Sequence, residues 1–172
     1  MERANAQDVY ALLQTLGMPF THTAHAEAHT MEDLVQVEET LGAPFCKNLF
    51  LTNRQKTEFI LLLIRGDKRF RTAEVSRRLG RSRLSFGEED TLFELLGVHP
   101  GAITPMGLVF DTEHRVELVV DRDLLELTDM CVHPCVNTES LKLKVKDLTE
   151  IFFPHTGHTP TYIEITGEVP EA

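Results

Sequence analysis

Residues 58–66, EFILLLIRG, constrain the fold of this chain more than any other stretch. The unbroken apolar run Phe59–Ile64 is too short for an ordinary interior helix and far short of the ~18 residues a membrane span needs. In a strand, successive side chains point to opposite faces, so a run apolar at every position buries both. EFILLLIRG therefore reads as a strand covered above and below. KNLFLTN at 47–53, joined to it through the polar RQKT, reads as its hairpin partner.

The remaining segments supply the covering layers. Val9, Leu12, Leu13 and Leu16 recur at helical spacing and stop at Gly17. TMED at 30–33 has a helix-start pattern, and that helix should run to about Leu41. TAEVSRRLG at 72–80, capped by Thr72, and EEDTLFELLG at 88–97 read as two short helices closed by glycine. GLVFD (107–111), VELVVD (116–121), MCVHPCVN (130–137) and SLKLKV (140–145) read as strands, and VKDLTEIFFP as a late helix. Alternation sets Lys142, Lys144 and Lys146 opposite Leu141, Leu143 and Val145, giving that strand one wet face. No repeat, low-complexity run or linker interrupts residues 1–172. The expectation is a mixed α/β single domain: a largely antiparallel sheet of about six or seven strands surrounded by helices.

Charge narrows the partners. The chain carries −10 overall, which argues against a general nucleic-acid binder. Between Arg65 and Arg83, however, eight Lys or Arg face two Asp or Glu, a net +6 that leaves −16 on the rest. Such an island is either a solvated face or a dock for a phosphate backbone. Three cysteines, Cys46, Cys131 and Cys135, suggest no disulfide framework. With no apolar leader or membrane-length run, a cytoplasmic location is expected.

Several familiar chemistries do not fit. HAEAH at 25–29 spaces two histidines four apart, but the residue after His25 is Ala26, where a zinc-protease helix needs glutamate. A zinc-deaminase reading of HAE and of Pro134-Cys135 requires a second cysteine where Thr138 stands. Cys131, His133 and Cys135 would share one side of an extended strand, a soft ligand set that Pro134 disturbs. Cys131 beside His133 lacks an orienting third group, and neither Gly-x-Ser-x-Gly nor a Walker lysine loop occurs. No metal and no cofactor is expected.

GVHPGAITP at 97–105 places two glycines and two prolines in one short segment. Glycine permits close approach of another molecule and proline fixes φ, so the loop can hold its amides in one orientation. Fixed amides can stabilise charge on a carbonyl oxygen, although a plain helix-to-strand turn would use the same residues.

Three segments read together go further. CKNLFL (46–51), GAITP (101–105) and VHPCVNT (132–138) resemble, in order and spacing, the lysine motif, Gly-x-x-x-Pro loop and His-Pro-x-x-Asn segment of the prolyl-tRNA editing family. The KNLFL and HPCVN forms are most similar to its alanyl-tRNA(Pro) deacylases. The resemblance implies hydrolysis of the ester joining a wrong amino acid to a tRNA 3′ end, by water, without metal or side-chain nucleophile. A second sieve of this kind is needed because a missing methylene is worth only ~1–3 kcal/mol in a binding pocket.

The resemblance also assigns roles. Lys47 would sit beside the terminal adenosine and ester, the loop from Gly101 through Pro105 would present its backbone N–H groups to the ester carbonyl, and His133 would border and limit the amino-acid pocket. Ala102, Ile103, Thr104 and Pro105 would complete the loop wall, with Asn48 and Asn137 as polar supports. Arg69, Arg71, Arg77 and Arg78 would contact the tRNA acceptor end. A monomer is expected, with mischarged tRNA and a prolyl-tRNA synthetase as partners and no membrane. Deacylation of Cys-tRNA(Pro) and non-catalytic binding of aminoacyl-tRNA or a synthetase stay open as alternatives.

Overall fold

A computed structural model describes residues 5–28 and 30–167. Eight strands form two sheets. The larger contains β2 (Cys46–Thr52), β3 (Phe59–Arg65), β4 (Ser85–Phe86), β5 (Val116–Asp121) and β8 (Thr161–Ile163), in the order β4-β2-β3-β5-β8. The smaller contains β1 (Phe20–Ala24), β6 (Asp129–Val132) and β7 (Glu139–Lys144), in the order β1-β7-β6. Pairing is antiparallel except for β3 with β5 and β5 with β8. The sheets meet where Phe45 bridges Cys131 and the Cys131 amide donates to the Pro44 carbonyl.

β3 has the two buried faces its sequence demands. Phe59, Leu61 and Leu63 enter the main core with α1 (Ala6–Thr15), α4 (Glu89–Leu96) and the second sheet. Ile60, Leu62 and Ile64 pack on the other side against Val75 of α3 (Thr72–Arg78), Leu84 and Ile163. Each such side chain contributes roughly 1.5–3 kcal/mol of burial, so both layers are anchored on this one strand.

Local signals mostly hold. Thr30 and Asp33 exchange amide-to-side-chain bonds at 3.1 and 3.2 Å before α2 (Val35–Leu41), a reciprocal box whose first turn is 3₁₀. Two expectations fail. α3 is preceded by Arg71, not capped by Thr72, and no side chain caps it. GLVFD is no strand: Thr104 accepts from the Met106 amide at 3.2 Å and Pro105 presets φ, so residues Pro105–Phe110 wind as a 3₁₀ helix. The strand count exceeds the expected six or seven because β1, β4 and β8 are short or polar. Residues 145–156 form the late helix, with a π turn at Leu148–Phe152 just before Pro154, which lacks the N–H an α-helix would use. No described helix is long and apolar enough to cross a membrane.

Candidate active site

The site begins at an open strand edge. Among the described residues β4 pairs with β2 only at Leu51 and Thr52, leaving Cys46–Leu49 without a neighbour on that side. Facing this edge is the loop after α4. Gly97 closes the helix at φ 69, a left-handed angle suited to glycine, and its amide donates to Phe93 O at 2.9 Å. Pro100–Ala102 then make a single 3₁₀ turn before Thr104 extends at φ −158. The buried Thr104 hydroxyl donates to the His133 carbonyl at 2.6 Å, fastening the loop to the turn after β6.

Between edge, loop and turn lies a cavity of about 280 Å³ lined by Lys47, Asn48, Gly101, Ile103, His133 and Met31, among others. Lys47 Nζ donates to the Lys68 carbonyl, which positions the ammonium without neutralising it. Asn48 Nδ2 donates to Cys46 O at 3.3 Å, while its buried Oδ1 has no partner among the described residues. An unsatisfied buried acceptor costs about 1–3 kcal/mol, so this oxygen favours any ligand donor that reaches it.

His133 is 7% exposed, and its Nδ1 lies 3.0 Å from the Glu139 carbonyl. A carbonyl only accepts, so Nδ1 carries the proton and Nε2 is left as the lone-pair nitrogen. Burial chiefly pushes the imidazole pKa below the ordinary histidine value; the Glu139 carbonyl opposes this and nearby His25 adds to it. His133 is thus a neutral wall at pH 7. His25 contacts Ser140 Oγ at 2.7 Å; His29, its counterpart in HAEAH, lies outside the described residues.

The structure divides the expected site residues. Gly101 and Ile103 reach the Lys47 cavity, whereas Ala102 and Asn137 line an adjoining chamber of about 320 Å³ that shares Gly101 as its wall. That wall is thin because residue 101 has no side chain: a Cβ there would sit 2.7 Å from Asn137 Nδ2. Asn137 instead donates to Ala28 O at 3.2 Å. The expected row of loop amides also shrinks. Ala102 N–H is taken by His99 O at 2.9 Å, and Pro105 has none.

The basic island divides too. Arg65 pairs with Asp67 and Glu126, Lys68 with Asp121 and Asp123, and Arg81 with Glu117. Among the described residues no ion pair holds Arg69, Arg71, Arg77 or Arg78; Arg71 is half-buried and the other three are exposed.

The three soft ligands do not share a strand face. β6 ends at Val132, and Cys135 adopts φ 66 beyond Pro134, turning away from the extended line. Burial pushes the Cys131 and Cys135 thiols up to about 12, so both stay protonated. Among the described residues no three His, Cys, Asp or Glu gather as metal ligands. Met31 and Phe45, also in the cavity wall, were not foreseen, since ordinary apolar residues carry no signal of lining a site.

Comparison with known proteins adds to this geometry. A family model described as the aminoacyl-tRNA editing domain matches residues 25–151. A Danio rerio protein, "Prolyl-tRNA synthetase associated domain-containing protein 1", is 33% identical over 91% of this chain and 85% of its own length. "Prolyl-tRNA editing protein ProX" of Acetoanaerobium sticklandii is 28% identical over 96% of this chain and all of its own. A crystal structure described as a candidate trans-editing enzyme for prolyl tRNA synthetase superposes with a TM-score of 0.68 at 19% identity, over 93% of this chain and 96% of that one. At that identity the likeness is one of fold.

Proposed function

The chain belongs to the aminoacyl-tRNA editing domain family, and from that premise we propose that it deacylates mischarged proline tRNA in trans, with Ala-tRNA(Pro) as its substrate. One observation carries the reading: a cation, an orphaned acceptor and three loop residues, Pro100, Gly101 and Ile103, converge on one small cavity. The ester carbonyl would lie against the amides of Gly101 and Ile103, expected loop residues that line the cavity. Donors already in place as the tetrahedral oxyanion forms lower the barrier more than the same groups would in water. Lys47 stands beside the ester and the terminal phosphate. Asn48 Oδ1, which has no donor among the described residues, gives the substrate α-ammonium an acceptor.

Water supplies the nucleophile, assisted by the free hydroxyl of the terminal ribose. It adds to the ester carbonyl, the ribose oxygen leaves with a proton, and the products are free amino acid and tRNA. His133, neutral and anchored through Nδ1, bounds the pocket and need not exchange a proton. Pocket size then rejects proline, whose ring adds bulk that a rigid wall excludes.

The test is deacylation of Ala-, Cys- and Pro-charged proline tRNA. Hydrolysis of the alanyl ester, sparing of the prolyl ester, loss on Lys47→Ala and indifference to chelator are expected. Turnover of none of the three, or no effect of Lys47→Ala, rejects the enzyme reading. Preferential hydrolysis of the cysteinyl ester would replace the substrate.

A further inference from the structure

Farther along the strand that lines the cavity, at the edge of the larger sheet, lies an aromatic pair that the hydrolytic site does not use. Phe86 is 63% exposed on the short edge strand β4, unusual for a side chain of its size. Its ring meets that of Phe70 at a centroid distance of 5.7 Å and a tilt of 53°. Register fixes where the pair sits. Phe86 is opposite Leu51, and Lys47, Leu49 and Leu51 share one face of β2 by alternation. Leu49 lines the cavity, and both it and Phe70 pack against the same buried cluster. Two strand residues separate Leu49 from Leu51, roughly 7 Å. Phe70 also follows, two residues on, the Lys68 carbonyl that receives Lys47.

The surroundings are cationic. Arg69 and Arg71 flank Phe70 in sequence, and Arg83 precedes β4; among the described residues none of the three has an ion-pair partner. Arg71 Nε is in addition buried without a hydrogen-bond partner among the described residues. Exposed aromatic faces with unpaired arginines are the combination that binds single-stranded nucleic acid, bases stacking on rings and guanidinium groups following phosphates. A wholly apolar partner surface would leave these arginines without counter-charge, whereas a nucleic-acid strand supplies both a base to stack and phosphates to pair.

We infer that Phe86, backed by Phe70, is a stacking platform for an unpaired base of the RNA 3′ end, placed one step outside the cavity that takes the terminal aminoacyl-adenosine. This rests on the deacylase reading for the identity of the strand, but its test does not. The chain contains no tryptophan, so Phe86→Trp installs a single reporter at an exposed site. Titration with a short single-stranded RNA ending in CCA should quench its emission, and Phe86→Ala should weaken binding of that RNA about five- to hundredfold. Phe86→Leu, which keeps apolar area but loses the π face, should behave like Phe86→Ala. In deacylation, the penalty of Phe86→Ala should be about tenfold greater for alanyl-tRNA than for the same amino acid on adenosine alone.

Absence of quenching, or equal RNA affinity for the parent chain and its Phe86→Leu and Phe86→Ala variants, overturns the platform, even if alanyl-adenosine is still hydrolysed. Quenching and aromatic-dependent affinity in a protein that hydrolyses no charged tRNA would instead sustain the platform and remove the deacylase.

Discussion

Lys47 and Lys68 meet at one backbone carbonyl yet serve opposite ends. Lys68 is held inward: its side chain is 14% exposed, and Nζ lies 3.0 Å from the fully buried Asp121 and 2.6 Å from Asp123. Burial alone would lower its pKa, but the hydrogen bonds and charges of Asp123 and Asp121 outweigh that and raise it. Lys47 donates to the Lys68 carbonyl and lines the cavity. A cation matched by carboxylates holds structure together; a cation left with a neutral carbonyl keeps most of its field for a ligand. The two lysines show why a basic island cannot be read as one surface.

Separating the pair experimentally starts with the inward member. Lys68→Ala should lower stability by ~3 kcal/mol in urea unfolding, because Asp121 would stay buried without its cation. The figure belongs at the low end for such breaks, since Asp121 keeps the Arg65 and Asp123 amides at 3.1 and 3.2 Å. Lys47→Ala should leave stability within ~0.5 kcal/mol but reduce kcat/KM on alanyl-tRNA roughly a hundredfold. Equal unfolding midpoints for the two variants, or an active Lys47→Ala, would erase the distinction.

Gly101→Ala tests the wall opposite Lys47. The added methyl would lie 2.7 Å from Asn137 Nδ2, a movable side-chain tip, so the stability loss should be about 1 kcal/mol. Deacylation should fall more, by about tenfold, as Asn137 leaves Ala28 O and the loop amides shift. A stability loss without any rate loss would mean that the loop only turns the chain.

The smallest effect concerns His133. Its pKa is lowered on folding, so the unfolded chain binds the proton first as pH falls. Its contribution is therefore complete above the unfolded value of ~6.5 and is lost as pH falls from there toward the lower folded value. Urea midpoints between pH 7 and pH 5 should decline less steeply for His133→Asn than for the parent chain. Parallel slopes would show that His133 is not the group that resists protonation.

Much of this was legible in advance where one residue's local chemistry sufficed. The both-faces-buried strand at 59–64, the Thr30/Asp33 box and the glycine stop at 97 depend on periodicity and backbone geometry close in sequence. GLVFD misled because a short apolar run has no period of its own, and a Thr104 cap with Pro105 decided the matter. β1 escaped notice because FTHTA is an edge strand whose pairing with β7, over a hundred positions away, supplies what its composition lacks.

The amino-acid order by itself determined the layered α/β architecture, the rigid loop at 97–105 and the presence of a lysine, a glycine and a histidine in family order. Only the folded chain decided which basic residues turn inward, that Asn48 Oδ1 has no donor among the described residues, that Ala102 and Pro105 offer no amide to the cavity, and that Phe86 is left exposed opposite Leu51. Those outcomes depend on partners brought together from distant positions, such as Lys68 with Asp121 and Thr104 with the His133 carbonyl. Local pattern reports a residue's own conformational preference; it holds no information about which distant group will satisfy it.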